Sequence, residues 1–431
     1  MNGEEAGTRA SREAAFEQAV ARDLRRNYAA HLAHGLLGQT GFRLVQAPTF
    51  IPAYVHMLSG SDLVVGLARG CQAFGMFLSP ILGATFIEHR RRVLPVGIRV
   101  GLVMRLQLLG IALAGFLLSE RSNLVAICLF LGLFGFFLGM QGVIFNFLVA
   151  KVIPVSRRGV LLGLRNAIAG VSAAAVAKLG GHFLDANTLG NGYATTFLLA
   201  FALTVLGLFA LLAVREPASP EVRAQASVPE RLRQLPELLR ADRAFTRYFL
   251  ARALATMGRM AVPFYVLFAD ARSPLSGDDL GNLTAAFLLA QTTTNAVWGL
   301  VADRFGFRLI FLASLGLWML ATLILLESGS AGPPLFVFVA LGAGLGGFLL
   351  SSQNLALEFG SRENLPMRIA VANSAAELVG AVGPIAGGLL ASLYGYATVF
   401  WTSLVFLALA FAVVLASVPE PRRRGADAPV S

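Results

Sequence analysis

Apolar blocks of about twenty residues recur along this 431-residue chain between short polar breaks, and that recurrence constrains the fold more than any other feature. A helix rises 1.5 Å per residue, so one block crosses a hydrocarbon core roughly 30 Å thick. Only helices and closed barrels satisfy their backbone polar groups in lipid, and runs this long lack the alternation of a barrel strand. The blocks predict helical spans near 28–56, 61–87, 93–118, 123–150, 159–184, 193–214, 245–270, 279–302, 307–327, 334–359, 369–393 and 396–417. Composition agrees, since 14% of residues are charged, against roughly 25% in a soluble domain. The net charge of +11 does not point to nucleic acid, because the basic residues stand singly or in short runs with no contiguous basic domain.

Charge gives topology instead. With the N-terminus placed inside and one crossing per block, about 25 of the 35 Lys and Arg residues fall on that side. They include Arg90 to Arg92, Lys151, Arg157, Arg158, Arg304, Arg308, Arg362, Arg368 and Arg422 to Arg424, whereas only Arg121 and Arg272 fall outside. Both termini are expected in the cytosol of a bacterial inner membrane. Residues 1–27 lack the short apolar core of a signal peptide and are expected to form a cytosolic, partly helical tail. Residues 215–244 break the rhythm with Pro217, Pro220, Pro229 and Pro236 and read as a cytosolic linker carrying a short surface helix. They divide the chain into halves of six spans, 28–214 and 245–417, with 418–431 as a cytosolic tail. Cys71 and Cys128 lie in apolar stretches without ligand or CxxC spacing and are expected to be buried packing residues.

The halves resemble one another. Gly192-Tyr193-Ala194-Thr195-Thr196-Phe197 opens the sixth span and Gly395-Tyr396-Ala397-Thr398-Val399-Phe400 the twelfth. Asn166 precedes Gly180-Gly181 by fourteen residues in the fifth span, as Asn373 precedes Gly387-Gly388 in the eleventh. Thr40-Gly41-Phe42-Arg43 leads to Pro48 in the first span, and Thr256-Met257-Gly258-Arg259 leads to Pro263 in the seventh. Three such pairs at corresponding positions mark an internal repeat of the kind that builds secondary transporters.

Between the eighth and ninth spans stands Gly299-Leu300-Val301-Ala302-Asp303-Arg304-Phe305-Gly306-Phe307-Arg308, which resembles the GxxxDRxGxR signature of the major facilitator superfamily. The stretch from Gly83 through Glu88 to Arg90-Arg91-Arg92 keeps the glycine, the acid and the basic run after the second span. The resemblance implies an all-α membrane fold of twelve transmembrane helices in two pseudo-symmetric six-helix bundles, working by alternating access. It also implies gating roles for Asp303, Arg304, Arg308 and Glu88: a carboxylate at one helix end accepts the exposed N–H groups of a neighbouring helix while arginines anchor at the headgroups. A plainer reading, in which these residues only set topology, stands beside it. The fourth span, around Phe137 to Gly142, carries no arginine where many proton-coupled members have one. The string Gly383-Pro384-Ile385-Ala386-Gly387-Gly388 resembles one associated with the fifth span of antiporters but sits in the eleventh, so antiport does not follow from it.

Charges inside spans are functional candidates by default. Arg43, Arg69, Arg105, Arg165, Lys178, Arg252 and Arg259 outnumber the acids, of which only Glu377 lies deep, so an anionic group on the substrate is expected. Arg43 and Arg259 hold repeat-equivalent positions and are the candidate clamp, with Gln39 one turn from Arg43. The alternative is that each only bonds to backbone carbonyls in its own half. Glu377 lies about eight residues inside its span, roughly 12 Å deep, level with Arg165 and Arg252, which makes a switched or a permanent ion pair the two readings there. The polar runs Gln291 to Asn295 and Ser351 to Asn354 either line a cavity or bond between helices; Gln291 and Asn295 are the site candidates. His31 and His34 share a face and are expected at the interface.

The sequence holds no HExxH, GxSxG or P-loop string, so neither an enzyme nor a cofactor is called for. The expected partners are a small-molecule substrate, the lipid bilayer and a candidate coupling proton, without nucleic acid, for a chain acting as a monomer. The leading reading is transport of a small organic solute, anionic or amphipathic; multidrug-type efflux and a non-transporting receptor or scaffold are the alternatives.

Overall fold

A computed structural model of the chain describes residues 3–219, 243–328, 335–357 and 365–419. The surface helix expected in the linker, the end of the tenth span with Glu358, Arg362, and the C-terminal tail from 420 lie outside the described residues. Span 1 is built from Gly3–Gly38, Thr40–Gln46 and Phe50–Ser59. Spans 2 to 6 are Asp62–Ile87, Leu94–Leu117, Glu120–Val152, Val155–Asp185 and Gly192–Ala210. Span 7 is Arg243–Gly258, a 3-10 turn Arg259–Phe264, and Tyr265–Arg272. Spans 8 to 12 are Gly277–Phe305, Phe307–Glu327, Leu335–Leu357, Leu365–Tyr394 and Tyr396–Ser417.

Among the described residues nine helices, spans 2 to 6 and 9 to 12, are long and apolar enough to cross a membrane. The three that miss the measure are the informative ones. Span 8 is one long helix whose apolar character is diluted by the polar run from Gln291 to Asn295. Spans 1 and 7, expected as continuous helices, are each broken at the same level of the repeat, around Pro48 and Pro263. Proline lacks the N–H that would continue the ladder, and in lipid the freed carbonyls need another donor. In span 1 that donor is Arg69, whose guanidinium bonds the carbonyls of Val45 and Ala47, each at 2.6 Å.

The expected tail boundary is absent, because the helix from Gly3 runs without interruption into span 1. Arg26 Nε donates to the Ala213 carbonyl at 2.7 Å, Asn27 exchanges two bonds with the Arg215 backbone, and Arg215 pairs with Asp23 at 3.2 Å. This docking carries the first turns of span 1 deeper into the bundle than the charge pattern suggests. His31 and His34, expected at the interface, are buried instead, His34 lying between Arg105 and Arg165. Cys71, expected to be buried, faces outward from the bundle, and Cys128 is half-buried. Both are on apolar helices whose outer faces meet lipid, so an apolar setting did not mean an interior one.

The two halves meet along span 2 against span 11 and span 5 against span 8, and glycines set the approach. A Cβ on Gly66 would stand 2.2 Å from the Pro384 carbonyl oxygen, and one on Gly181 would stand 2.4 Å from that of Gly277. The repeated glycine pairs divide the work identically. Gly180 packs on Phe50 of span 1 and Gly181 crosses to span 8, while Gly387 packs on Met260 and Phe264 of span 7 and Gly388 crosses to span 2. The Gly387-Gly388 pair of span 11 and the Gly180-Gly181 pair of span 5 thus each allow close helix approach.

Candidate functional site

Where the broken spans 1 and 7 face each other, the halves enclose a cavity of about 310 Å³. Span 1 contributes Arg43, Gln46 and Pro48, span 2 contributes Arg69 and Gln72, and span 7 contributes Arg259 and Pro263. Gln291 of span 8, Gln353 of span 10 and Glu377 of span 11 complete the polar lining. The chain reaches this arrangement because a break in each of two helices stops the apolar packing short at one level and turns side chains from the flanking turns inward.

The arginines are not equivalent. Arg43 is committed to protein: it donates to Thr292 Oγ1 of the opposite half at 3.0 Å, to the Asn166 carbonyl at 3.3 Å and to Gln39 Oε1 at 3.4 Å. Arg69 holds the span 1 break and Gln72 Oε1 at 2.9 Å. Arg259 makes no hydrogen bond or ion pair among the described residues, and neither does Glu377. Of the two polar runs one residue each, Gln291 and Gln353, faces the cavity, while Thr293, Thr294, Ser351, Ser352 and Asn354 bond carbonyls of their own helices. Asn295 does not line the cavity, and its Oδ1 is buried without a partner among the described residues.

Gln39 lies behind the cavity wall, between Arg43 and Arg165. With its amide oxygen turned to Arg165, it accepts both terminal N–H groups at 2.8 Å, in place of the 3.4 Å bond from Arg43, and this orientation is the better satisfied. Arg165 also meets His34 Nδ1 at 3.1 Å and covers the Phe145 ring at 4.0 Å, all within the first half. No ion pair joins it to Glu377, so that version of the switch is not formed here. Arg252 is buried at the Glu377 side, within electrostatic reach of it.

Several hydrogen bonds bridge the halves at or beyond the cavity, toward the end away from the chain termini. Asp185, ending span 5, accepts the backbone N–H groups of Gly277 and Asp278 at the start of span 8, at 2.6 and 2.7 Å. Thr284 Oγ1 donates to Thr49 Oγ1 at 2.7 Å, and Tyr396 O–H donates to Asp62 at 2.7 Å with His56 Nδ1 3.3 Å from the same carboxylate.

A bundle of two repeated halves, joined across one end and carrying a cavity between them, fits the architecture of a rocking transporter. The family profile described as Major Facilitator Superfamily matches residues 36–273 and again 248–429, one match per half. The chain belongs to the major facilitator superfamily. It is a multi-pass membrane protein of a family of transporters. A curated relative, the "Uncharacterized MFS-type transporter YvkA" of Bacillus subtilis (strain 168), is 28% identical over 187 residues, 40% of this chain and 41% of that protein. The alignment thus spans about two-fifths of the curated relative. Among solved structures, the nucleoside transporter NupG superposes with a TM-score of 0.70 at 12% identity, covering 92% of this chain and all of that one. A D-xylose-proton symporter superposes at 0.68 and 14% identity, covering 93% and 99%. At such identities the likeness is one of fold.

The superfamily signature has a backbone reason for its glycine: Gly306 has φ +86°, which turns span 8 into span 9 within one residue. Arg308 donates to the carbonyls of Val414, Leu415 and Val418, closing the C-terminus of span 12 inside its own half. Arg304 covers the Phe305 ring at 5.3 Å. Asp303 and Glu88 stand at the terminal ends of spans 8 and 2 as expected.

Sequence reasoning missed two residues. Arg69 was one charge among several, and its lone place in an apolar helix was the available signal. Glu216, just after span 6, accepts the N–H groups of Val93 and Leu94 at the start of span 3 and pairs with Lys151 at 2.6 Å. It performs within the first half the helix-end capping expected of Asp303 and Glu88.

Proposed function

We propose that this protein carries a small solute bearing an anionic group across a bacterial plasma membrane by alternating access, with both termini in the cytosol. The observation that carries the reading is the cavity's charge: Arg43, Arg69 and Arg259 against the single carboxylate of Glu377. A buried excess of positive charge is costly unless an anion joins it. Arg259, unengaged among the described residues, is the primary anion-binding group, and Arg43 closes the site from the opposite half. The bridging bonds at the far end are the contacts that the transport cycle has to break. Asp303, Arg304 and Glu88 are the proposed latch for the reverse state, and Arg252 is the proposed partner of Glu377 in it.

The test is uptake and efflux of a panel of organic anions in proteoliposomes, with and without a proton gradient. Arg259→Ala is expected to reduce anion transport to background while the protein remains folded, and Arg43→Ala to do so to a lesser degree. Unaffected anion transport in both variants, or activity on cations alone, would overturn the reading.

A further inference from the structure

Glu377, the one carboxylate among the described lining residues, is the feature that an anion site does not need. Glu377 makes no hydrogen bond or ion pair among the described residues, although Arg259 and Arg252 lie within electrostatic reach. Arg259 in turn stands within electrostatic reach of Arg69 across the cavity, also unbonded among the described residues. An arginine and a glutamate that share a cavity without closing on one another leave a space with a positive wall and a negative wall. Ionised carboxylates are stable away from water only when paired or hydrogen-bonded. Arg259 and Glu377 have the opposite charges needed to pair, yet their separation leaves both sets of hydrogen-bonding atoms facing the cavity. Its polar lining is otherwise amide: Gln46, Gln72, Gln291 and Gln353. Amides donate and accept, so they suit a ligand that has both donors and acceptors. A volume of about 310 Å³ is at the small end of ligand cavities and suits a small solute.

We propose that the cavity takes a small amphoteric solute, an amino-carboxylic acid that presents its carboxylate to Arg259 and its ammonium group to Glu377. This deepens the anionic-solute reading and rests on it. Glu377 is then a specificity residue that touches the ligand, separating amino acids from plain acids of the same length. Such a ligand completes charge-assisted hydrogen bonds to Arg259 and to Glu377 at once.

The test uses the purified full chain, with binding read by isothermal titration and ligand-induced thermal stabilisation. The probes are linear ω-amino acids with one to five methylenes, the alkyl carboxylates of matching length, and the alkylamines. At least one ω-amino acid is expected to bind about tenfold or more tightly than its carboxylate counterpart, the effect of one charge-assisted hydrogen bond. Glu377→Gln is expected to abolish that difference while leaving the carboxylate's own affinity in place, and Arg259→Gln is expected to weaken both. If carboxylates bind but the amine adds nothing, or if Glu377→Gln weakens both classes alike, the amphoteric inference fails and the anionic reading stands. Should the alkylamines bind and no carboxylate do so, the anionic reading fails with it.

Discussion

At the scale of single residues, the same side-chain type does opposite work according to what its neighbours leave unbonded. Arg69 is spent on carbonyls freed by the span 1 break, so its loss is a stability event before it is a binding event. Arg69→Leu strands the Val45 and Ala47 carbonyls, and a lowered thermal midpoint is expected, corresponding to roughly 1.5–3 kcal/mol for hydrogen bonds to a charged group. Glycines matter here where backbones touch. A Cβ on Gly66 would meet the Pro384 carbonyl at 2.2 Å and that of a backbone that cannot retreat cheaply. Gly66→Ala is therefore expected to splay the far end, lengthening the spin-label distance between the loop before span 2 and the loop after span 11. An unchanged distance would show that the approach is not limiting.

At the scale of elements, the helix ends at the terminal side are held by side chains from spans distant in sequence. Glu216 caps the start of span 3 and neutralises Lys151, both nearly excluded from solvent at 2% and 4% exposure. Glu216→Gln leaves a buried ammonium without its counter-charge, and a loss of about 3–5 kcal/mol is expected by chemical or thermal unfolding in detergent. The helix that precedes span 1 is held more lightly and by charge. Burial works to raise the Asp23 carboxyl, but hydrogen bonds from Arg215 and Arg22 outweigh it and hold the group below its ordinary value of 3.8. A depressed folded-state value means that this contact stabilises the docked helix above that pH and is lost as pH falls through the folded value. Faster amide exchange in residues 12–26 under acid is the expected sign, with span 2 as the unaffected reference.

At the scale of the whole molecule, alternating access requires the far-end contacts to part. Asp185 at the end of span 5 and Asp278 at the start of span 8 lie within one hydrogen bond of each other across the halves. In a background with Cys71 and Cys128 replaced by serine, the pair Asp185→Cys and Asp278→Cys is expected to form a disulfide that abolishes transport, with recovery on reduction. Full transport with the bridge intact would mean that the far end does not open in the cycle.

The apolar blocks, the clustering of basic residues and the repeated strings were sufficient to assign span number, repeat and family, because hydropathy and helix length act locally and are written in consecutive residues. The positions of Pro48 and Pro263 marked where the two helices break, and the paired Arg43 and Arg259 marked the level of the cavity. What each arginine does was not legible, since hydrogen bonds from Arg43 to Thr292, from Arg165 to His34 and from Arg308 to Val418 join residues 110 to 249 positions apart. Sequence spacing cannot say which carbonyl or hydroxyl stands opposite a guanidinium; only the packing of spans 1, 5, 8, 9 and 12 does. The same packing left Arg259 and Glu377 unbonded within one cavity, and it buried His31 and His34 while turning Cys71 outward.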